Sequence, residues 1–260
     1  MKRPLARLSG YPAPIEVTTD AAGVLRLGSR TLDPAVGWQV PTTGTVYGVA
    51  LNFRSALAAL GDAVHAAPYK APPRAPVLYI KPRNTWAAHG AAVLLDPDGV
   101  ELAVGPTLGL VIGRTATRVS HAEARDVIAG YTVVNDLAVP HDSYYRPAIR
   151  QQCRDGFCPI GPVIVPRDRI ADPDGLTLRA YVNDTLQLAA SLHDLVRPIG
   201  VLLSDVTEFM TLVEGDVLMV GLPAALPRAR VGDRIAVAID GIGRLENRLE
   251  SAPGSIAVTP

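Results

Sequence analysis

Apolar and β-branched residues recur in short runs from residue 46 onward, and polar or turn-forming residues separate the runs. Runs of this length bounded by Gly, Pro, Asn or Asp are typical of buried strands. The pattern therefore predicts a chain built mainly from strands. The predicted strands include VYGVALN (46–52), VLYIK (77–81), TLGLVIG (107–113) and YTVVND (131–136), a later hairpin around Asn183-Asp184, and DVLMVG (216–221) and RIAVAIDGIGRLENRL (234–249).

Helical composition is confined to a few segments. RSALAALGDAVH (54–65) reads as one helix, and a second is predicted near 200–212. Ser120 and Glu123 have the spacing of a capping box, which predicts a helix that ends at Gly130. Strands outnumber helices, so we predict a mixed α/β fold in which β structure dominates.

Two segments lack this regularity. Residues 1–45 are rich in Pro, Gly, Thr and Ala, and they are interpreted as a small leading segment before one main domain over 46–260. Residues 138–162 are long, polar and dense in Arg and Tyr. Because long connections in compact domains are usually functional, we expect this one to be a binding loop.

Charge and composition narrow the possible functions. The chain has 260 residues, with 25 basic and 25 acidic side chains and 48% hydrophobic residues, which indicates a globular protein. Zero net charge argues against a nucleic-acid partner. No apolar run reaches the roughly 18 to 20 residues of a membrane span or follows the N-terminal basic residues as in a secretory signal, so we expect a cytoplasmic protein without a membrane partner.

Candidate chemistry lies at the ends of two predicted strands. Lys81 and Asp136 each close a buried run, although either could simply be the first solvated residue after it. Asn84, Arg146 and Arg154 follow nearby or lie in the long loop, and guanidinium groups that converge on a pocket favour a ligand with several carboxylates. The alternative for each arginine is an ordinary surface position. We predict that the five side chains line one cavity, with Lys81 and Asp136 catalytic and the other three binding substrate.

The order of motifs resembles that of the fumarylacetoacetate hydrolase family over about residues 46–250. The motifs are YGVALNFRS, YIKPRNT, TLGLVIGRTATRVS, VIAGYTVVND, YYRPAIRQQCRDGFCPIGP, FMTLVEGDVLMVGLP and VGDRIAVAIDGIGRLENRL. The resemblance implies a β-sandwich roll with a few short helices. It also implies Mg²⁺ or Mn²⁺ held by a Glu-x-Glu pair and a later Asp, with a lysine close by and a His–Glu pair that handles water or protons.

The family's metal ligands match this sequence only in part. Asp136 stands at the third ligand position and Lys81 at the lysine position. The first two ligand positions hold Gly105 and Thr107, and we do not expect Glu101, four residues before Gly105, to substitute for them. One carboxylate does not hold Mg²⁺ usefully, so we expect no metal to bind to this chain alone.

The family's His–Glu pair is also missing, because its positions hold Ala56 and Ala59. The resemblance is closest to the two-copy members of the family that act in homoprotocatechuate (4-hydroxyphenylacetate) degradation, and to their first copy in particular. It implies decarboxylation of 5-oxopent-3-ene-1,2,5-tricarboxylate and isomerisation of 2-hydroxyhepta-2,4-diene-1,7-dioate. We expect a subunit that depends on a metal-bearing second copy of the fold, as a homodimer when alone and a heteromer with its partner. The alternatives are a metal-free decarboxylase or isomerase of a related 2-oxo acid and a non-catalytic binding or scaffold protein.

Overall fold

A computed structural model describes residues 2–19, 24–33, 35–96, 100–141 and 143–253. Among them are twenty strands and three α-helices. The helices are α1 (Arg54–Ala58), α2 (Ile149–Gln152) and α3 (Ile199–Phe209). The strands are β1 (Leu5–Leu8), β2 (Ile15–Glu16), β3 (Thr18–Thr19), β4 (Leu25–Leu27), β5 (Arg30–Thr31), β6 (Trp38–Gln39), β7 (Val46–Ala50), β8 (Val77–Lys81), β9 (Trp86–Ala87), β10 (Ala92–Leu95), β11 (Leu102–Ala103), β12 (Pro106–Ile112), β13 (Ile128–Asn135), β14 (Cys158–Pro166), β15 (Thr177–Val182), β16 (Thr185–Ser191), β17 (Val217–Met219), β18 (Arg228–Ala229), β19 (Arg234–Ile239) and β20 (Gly243–Ser251).

The largest sheet has ten strands within the described residues. Eight follow the order β2-β1-β14-β13-β12-β17-β7-β8, and in addition β6 pairs with β1 and β9 pairs with β14. All seven residues of β12 are buried, as expected for a strand at the centre of a sheet. β17 pairs in parallel with β7, whereas β7 pairs antiparallel with β8. These pairings bring together strands that are far apart in the sequence, and the candidate site forms where they end.

A second sheet of five strands packs against the first, in the order β10-β20-β19-β15-β16. One continuous cluster of buried apolar side chains includes Val133 and Leu110 of the large sheet with Leu178 and Val237 of the smaller one. The core therefore lies between the two sheets. The predicted hairpin around Asn183-Asp184 joins β15 to β16, and both turn residues have the positive φ of a type I′ turn, 49° and 61°.

The predicted fold class, mixed α/β with β dominant, is confirmed, and the strand at 77–81 has the predicted bounds. The predicted helix over 54–65 is shorter, because α1 ends at Ala58 and a 3₁₀ turn covers Gly61–His65. The helix near 200–212 is present as α3. No helix within the described ranges has the length and apolar character needed to cross a membrane.

The helix predicted to end at Gly130 is wrong. The Glu123 backbone N–H does donate to Ser120 Oγ at 3.4 Å, so the capping contact forms, and Ser120 Oγ donates to Glu123 Oε2 at 2.6 Å. The chain then makes only a 3₁₀ turn at Ala124–Val127, and β13 begins at Ile128. Local capping is worth about 1 kcal/mol, which the burial of β13 between two neighbouring strands outweighs.

The leading segment joins the large sheet, because β1 pairs antiparallel with β14 through Leu5↔Ile164 and Ala6↔Val163. The division of the chain at residue 45 stays a prediction. Further along the segment, the Trp38 ring meets the His89 ring edge-on with centroids 5.4 Å apart. This contact joins the leading segment to the residues around β10 and β20.

His89 is held as a neutral ring. Its Nδ1 accepts a hydrogen bond of 3.0 Å from the Glu246 backbone N–H, which requires an unprotonated nitrogen. Burial, followed by the opposing effects of Glu246 and Arg244, lowers the pKa of His89 to about 4. The folded state therefore resists a proton that the unfolded chain takes up at about pH 6.5.

We predict that His89 stabilises the fold fully above about pH 6.5 and that this contribution is lost as the pH falls toward 4. Between pH 7.5 and pH 4.5 the loss amounts to about 2 to 3 kcal/mol in the free energy of unfolding. Urea unfolding of the wild type and of His89→Asn, which keeps an acceptor but does not titrate, measures it. If the prediction holds, the free energies of unfolding of the two proteins converge as the pH falls from 7.5 to 4.5. Profiles that stay parallel over this range contradict it.

Candidate functional site around Asp136

A cavity of about 250 Å³ lies beside the ends of β7, β8 and β13. Its walls are mainly Ala, Val, Leu and Pro side chains from the end of β7, from α1, and from segments 138–140 and 222–226. Only a few polar side chains reach it, and so its chemistry depends on them. They are Tyr79, Asp136, His141, Tyr144, Gln152 and Arg228.

Asp136 is the buried acid of this cavity, with 2% of its surface exposed. It follows the last residue of β13, and its backbone N–H donates to the Gly105 carbonyl at 2.8 Å. Its Oδ1 lies 2.7 Å from Lys81 Nζ, and its Oδ2 accepts a hydrogen bond from the Tyr79 hydroxyl. The carboxylate is thus charge-compensated on one side and hydrogen-bonded on the other.

Tyr79 reaches Asp136 because the opposite residue on β7 is glycine. Gly48 pairs with Tyr79, and a Cβ at Gly48 would lie 2.1 Å from the tyrosine ring. Burial, then the negative charge of Asp136, raises the pKa of Tyr79 well above its ordinary value. Tyr79 therefore remains a protonated donor and is unsuited to act as a base.

Lys81 is enclosed behind Asp136, and its side chain is 0% exposed. Its Nζ donates to the carbonyls of Leu137 at 2.8 Å, Gln152 at 2.8 Å and Phe157 at 3.0 Å. Three carbonyl acceptors need three N–H donors, which only the ammonium form supplies. The nitrogen has no lone pair for nucleophilic or base chemistry in this arrangement, and it does not form part of the cavity wall.

The structure does not bring the five predicted site residues around one cavity, so that prediction is wrong. Asp136 lines the cavity and Lys81 lies behind it. Asn84 donates to the Cys153 carbonyl and to Asp155, and Arg154 pairs with Asp96 at 3.0 Å beside a separate surface cavity. Arg146 is exposed.

The prediction failed because a residue's position in or near the long loop does not determine which way its side chain points. Asn84 is held by Cys153 and Asp155 of the loop and Arg154 by Asp96, and neither residue lines the cavity beside Asp136. The predicted roles of Asn84, Arg146 and Arg154 in substrate binding, and of Lys81 and Asp136 in catalysis, stay predictions.

The sequence reasoning missed five polar side chains of the cavity: Tyr79, His141, Tyr144, Gln152 and Arg228. Tyr79 could have been predicted, because residues two apart on a strand share a face and Lys81 was already a candidate. His141 and Arg228 carried no such signal. The His141 ring lies against Tyr144, and its Nδ1 is 2.9 Å from the Ser143 carbonyl, while Arg228 arrives on the short strand β18 far along the chain.

The residues present do not fit the metal site that the resemblance implies. A Cβ at Gly105 would lie 2.3 Å from the Asp136 carbonyl oxygen, so a glutamate there requires the backbone to move. Thr107 is fully buried and its hydroxyl has no hydrogen-bond partner among the described residues. Glu101 is exposed. No group of three His, Cys, Asp or Glu side chains suited to a metal ion occurs in the described ranges.

The positions of the expected His–Glu pair do lie at the cavity. Ala56 and Ala59 both line it, so the loss of the His–Glu pair inferred from the sequence falls on the wall of this cavity. Methyl groups stand where the resemblance places a proton-transferring pair. The cavity is present, but the two positions of the expected His–Glu pair carry no titratable group.

Comparison with known proteins places the chain in a family. The fumarylacetoacetate (FAA) hydrolase C-terminal family matches residues 45–250. The chain belongs to the fumarylacetoacetate hydrolase family. It is 42% identical over 204 residues to the 4-hydroxyphenylacetate degradation bifunctional isomerase/decarboxylase of Escherichia coli, covering 78% of this chain and 46% of that protein. The chain thus spans about half the length of this relative.

Solved structures agree with the family fold. The 5-carboxymethyl-2-hydroxymuconate delta-isomerase of Mycobacterium smegmatis has a TM-score of 0.76 at 25% identity, covering 96% of this chain and 99% of that one. The maleylpyruvate hydrolase of Sphingobium sp. SYK-6, in complex with manganese(II) and pyruvate, has a TM-score of 0.67 at 25% identity, covering 84% and 75%. The predicted family fold is confirmed, and metal-binding members of the family exist.

We predict that Thr107→Val leaves the fold intact and raises the free energy of unfolding by about 1 kcal/mol, because it removes a buried hydroxyl that has no partner. Thr132→Val on the neighbouring strand is the matched control. The Thr132 hydroxyl donates to the Val163 carbonyl at 2.8 Å, so its loss costs about 1 to 2 kcal/mol. Chemical denaturation measures both, and destabilisation by Thr107→Val equal to that of the control contradicts the prediction.

We also predict that the chain shows no micromolar binding of Mg²⁺ or Mn²⁺ that depends on Asp136. The Gly105→Glu/Thr107→Glu variant is expected not to restore it, because position 105 has no room for a side chain. Isothermal titration calorimetry of the wild type, that variant, Asp136→Asn and Glu101→Ala measures it. Tight binding by the wild type that Asp136→Asn abolishes would overturn the conclusion.

Proposed function

We propose that this chain is the metal-free copy of a decarboxylase/isomerase that acts in 4-hydroxyphenylacetate (homoprotocatechuate) degradation. The similarity to the Escherichia coli bifunctional isomerase/decarboxylase, over about half of that protein's length, supports a related catabolic role. The structural relative from Mycobacterium smegmatis, at 25% identity, is likewise an isomerase, of 5-carboxymethyl-2-hydroxymuconate. The reactions proposed are decarboxylation of 5-oxopent-3-ene-1,2,5-tricarboxylate and isomerisation of 2-hydroxyhepta-2,4-diene-1,7-dioate.

One observation carries the proposal: the backbone at Gly105 lies against the Asp136 carbonyl, which leaves no room for a metal-binding carboxylate. Both proposed reactions develop negative charge on an oxygen of the substrate, which needs a nearby positive group. The ammonium of Lys81 is shielded from the cavity by Asp136, so it does not meet this need. Arg228 on the cavity wall offers a single positive charge, where the family's metal ion would supply two. Catalysis on this proposal therefore requires a second copy of the fold that carries the metal ligands.

The same geometry argues against an independent metal-free catalyst. Asp136 faces Lys81 and Tyr79, and Ala56 and Ala59 offer no proton acceptor. A cavity of this kind supports binding better than proton transfer. Of the residues that line it, Arg228 carries the one permanent positive charge, which suits a carboxylate of a polycarboxylate substrate.

We propose that the partner is a second copy of the fold, with a homodimer when this chain is alone. Exposed apolar side chains that a partner could cover include Tyr145 at 60%, Ile149 at 62% and Phe209 at 62%. They are the three most exposed large apolar side chains among the described residues.

We predict that this chain alone releases CO₂ from the tricarboxylate at least about a hundredfold more slowly than its complex with a partner that bears an intact Glu-x-Glu pair, because the positive charge that stabilises the enolate is worth several kcal/mol. The complex is expected to lose its activity in excess EDTA and to regain it with Mg²⁺. CO₂ release is measured for each chain alone and for the mixture.

A partner with both glutamates changed to Gln is the matched control, and its complex is expected to be inactive. EDTA-insensitive turnover by this chain alone would reject the proposal in favour of a metal-free catalyst. A complex no more active than the partner alone would favour a binding or scaffold protein.

A further inference from the structure

Four oxygen atoms surround the nitrogen of Lys81. Three are the backbone carbonyls of Leu137, Gln152 and Phe157, and the fourth is Asp136 Oδ1, at distances from 2.7 to 3.0 Å. Protein ligands bind Mg²⁺ at about 2.0–2.1 Å and Ca²⁺ at about 2.3–2.6 Å. The oxygen shell is wider than either ion requires, and its size matches the hydrogen bonds of an ammonium group.

We propose that these four oxygens form an alkylammonium-binding site that Lys81 fills from within the chain. The site is complete in itself: three carbonyls take the three protons, and the carboxylate balances the charge. Lys81 is then a positioning residue. It acts through the backbone it binds and does not touch the cavity.

The positions of the three carbonyls show what the site holds in place. Leu137 begins the segment that leaves β13, while Gln152 and Phe157 lie near its return to β14. The Lys81 ammonium therefore joins both ends of segment 137–157. Between these ends lie the cavity-lining residues Val139 and His141.

Other contacts are consistent with this role and identify where the segment is weakest. The Leu137 N–H also donates to the Phe157 carbonyl at 3.1 Å, and the Val139 N–H donates to the Gln151 carbonyl at 2.9 Å. Beyond them the Tyr144 N–H donates to the Tyr69 hydroxyl at 2.8 Å, but Tyr145 is 60% exposed. Loss of the ammonium is expected to release the segment around Tyr145 first.

The test uses chemical rescue of Lys81→Ala. This substitution removes three carbons and the amine, and propylammonium supplies the same group from solution. The variant is refolded from urea with propylammonium chloride, and its thermal midpoint and its cleavage by chymotrypsin after Tyr145 are measured. We expect propylammonium to raise the midpoint by roughly 5 °C or more and to slow the cleavage in a concentration-dependent way.

Three controls separate the site from general effects of the additive. 1-Propanol matches the shape without the charge, and tetramethylammonium matches the charge without N–H donors, so neither is expected to rescue. Val77→Ala on the same strand is a destabilised variant with Lys81 intact, and propylammonium is expected to leave it unchanged. Equal effects of the three additives, or no effect of propylammonium, would overturn the proposal.

If Lys81→Ala does not refold in any solution, the proposal is tested with Lys81→Met instead. Methionine fills similar space without charge or donors, so the proposal requires faster cleavage after Tyr145 than in the wild type, and cleavage at the wild-type rate overturns it. None of these readouts uses enzymatic turnover. The result is therefore independent of the proposed function, which fails or stands on the CO₂ assay.

Discussion

The buried ammonium of Lys81 is the interaction on which the candidate site depends. A charge removed from water is tolerated only when it is paired and its protons are all hydrogen-bonded. Lys81 meets both conditions with oxygens from Asp136 and from residues 137, 152 and 157. Satisfying this one group fixes the carboxylate, hides the amine from the cavity and joins the two ends of the loop that forms part of the cavity wall.

This arrangement explains why the residues present do not fit the metal site that the family resemblance implies. Asp136 and Lys81 are kept, but the two remaining ligand positions are now part of the protein's packing. Gly105 lets the backbone approach the Asp136 carbonyl, and Thr107 is buried within β12. Because side chains at these positions face backbone and core, returning the metal would require the strand to shift. The proposal of a metal-bearing partner follows from this lack of space at Gly105.

Much of the fold could be predicted from the sequence because short runs of neighbouring residues are enough to indicate these strands and turns. β8 and the hairpin at Asn183-Asp184 follow from a β-branched run and from residues that accept positive φ. The helix expected before Gly130 failed because pairing of β13 with β12 and β14 outweighed a capping contact. That pairing depends on residues far away in the chain, which a local pattern does not contain.

The candidate site could likewise be predicted only where a local sequence signal marked a residue. Strand ends pointed to Lys81 and Asp136, which the structure does bring together. The acceptors of Lys81 are backbone carbonyls, which every residue has, so no residue type marked them in advance. Arg228 reaches the cavity because β18 pairs with β11, whereas Arg154 forms an ion pair with Asp96 and does not line the cavity. Such directions come from tertiary structure and not from composition.

The most direct measurement of the central claim is the exchange of the Lys81 ammonium protons with water. The sequence contains only Lys2, Lys70 and Lys81, so lysine labelled with ¹⁵N at Nζ gives three resolvable groups, and Lys81→Met assigns the one of interest. The account predicts that the Lys81 ammonium protons exchange at least about a hundredfold more slowly than those of the other two at pH 7, because they are buried and hydrogen-bonded. Exchange of all three groups at the same fast rate would contradict it.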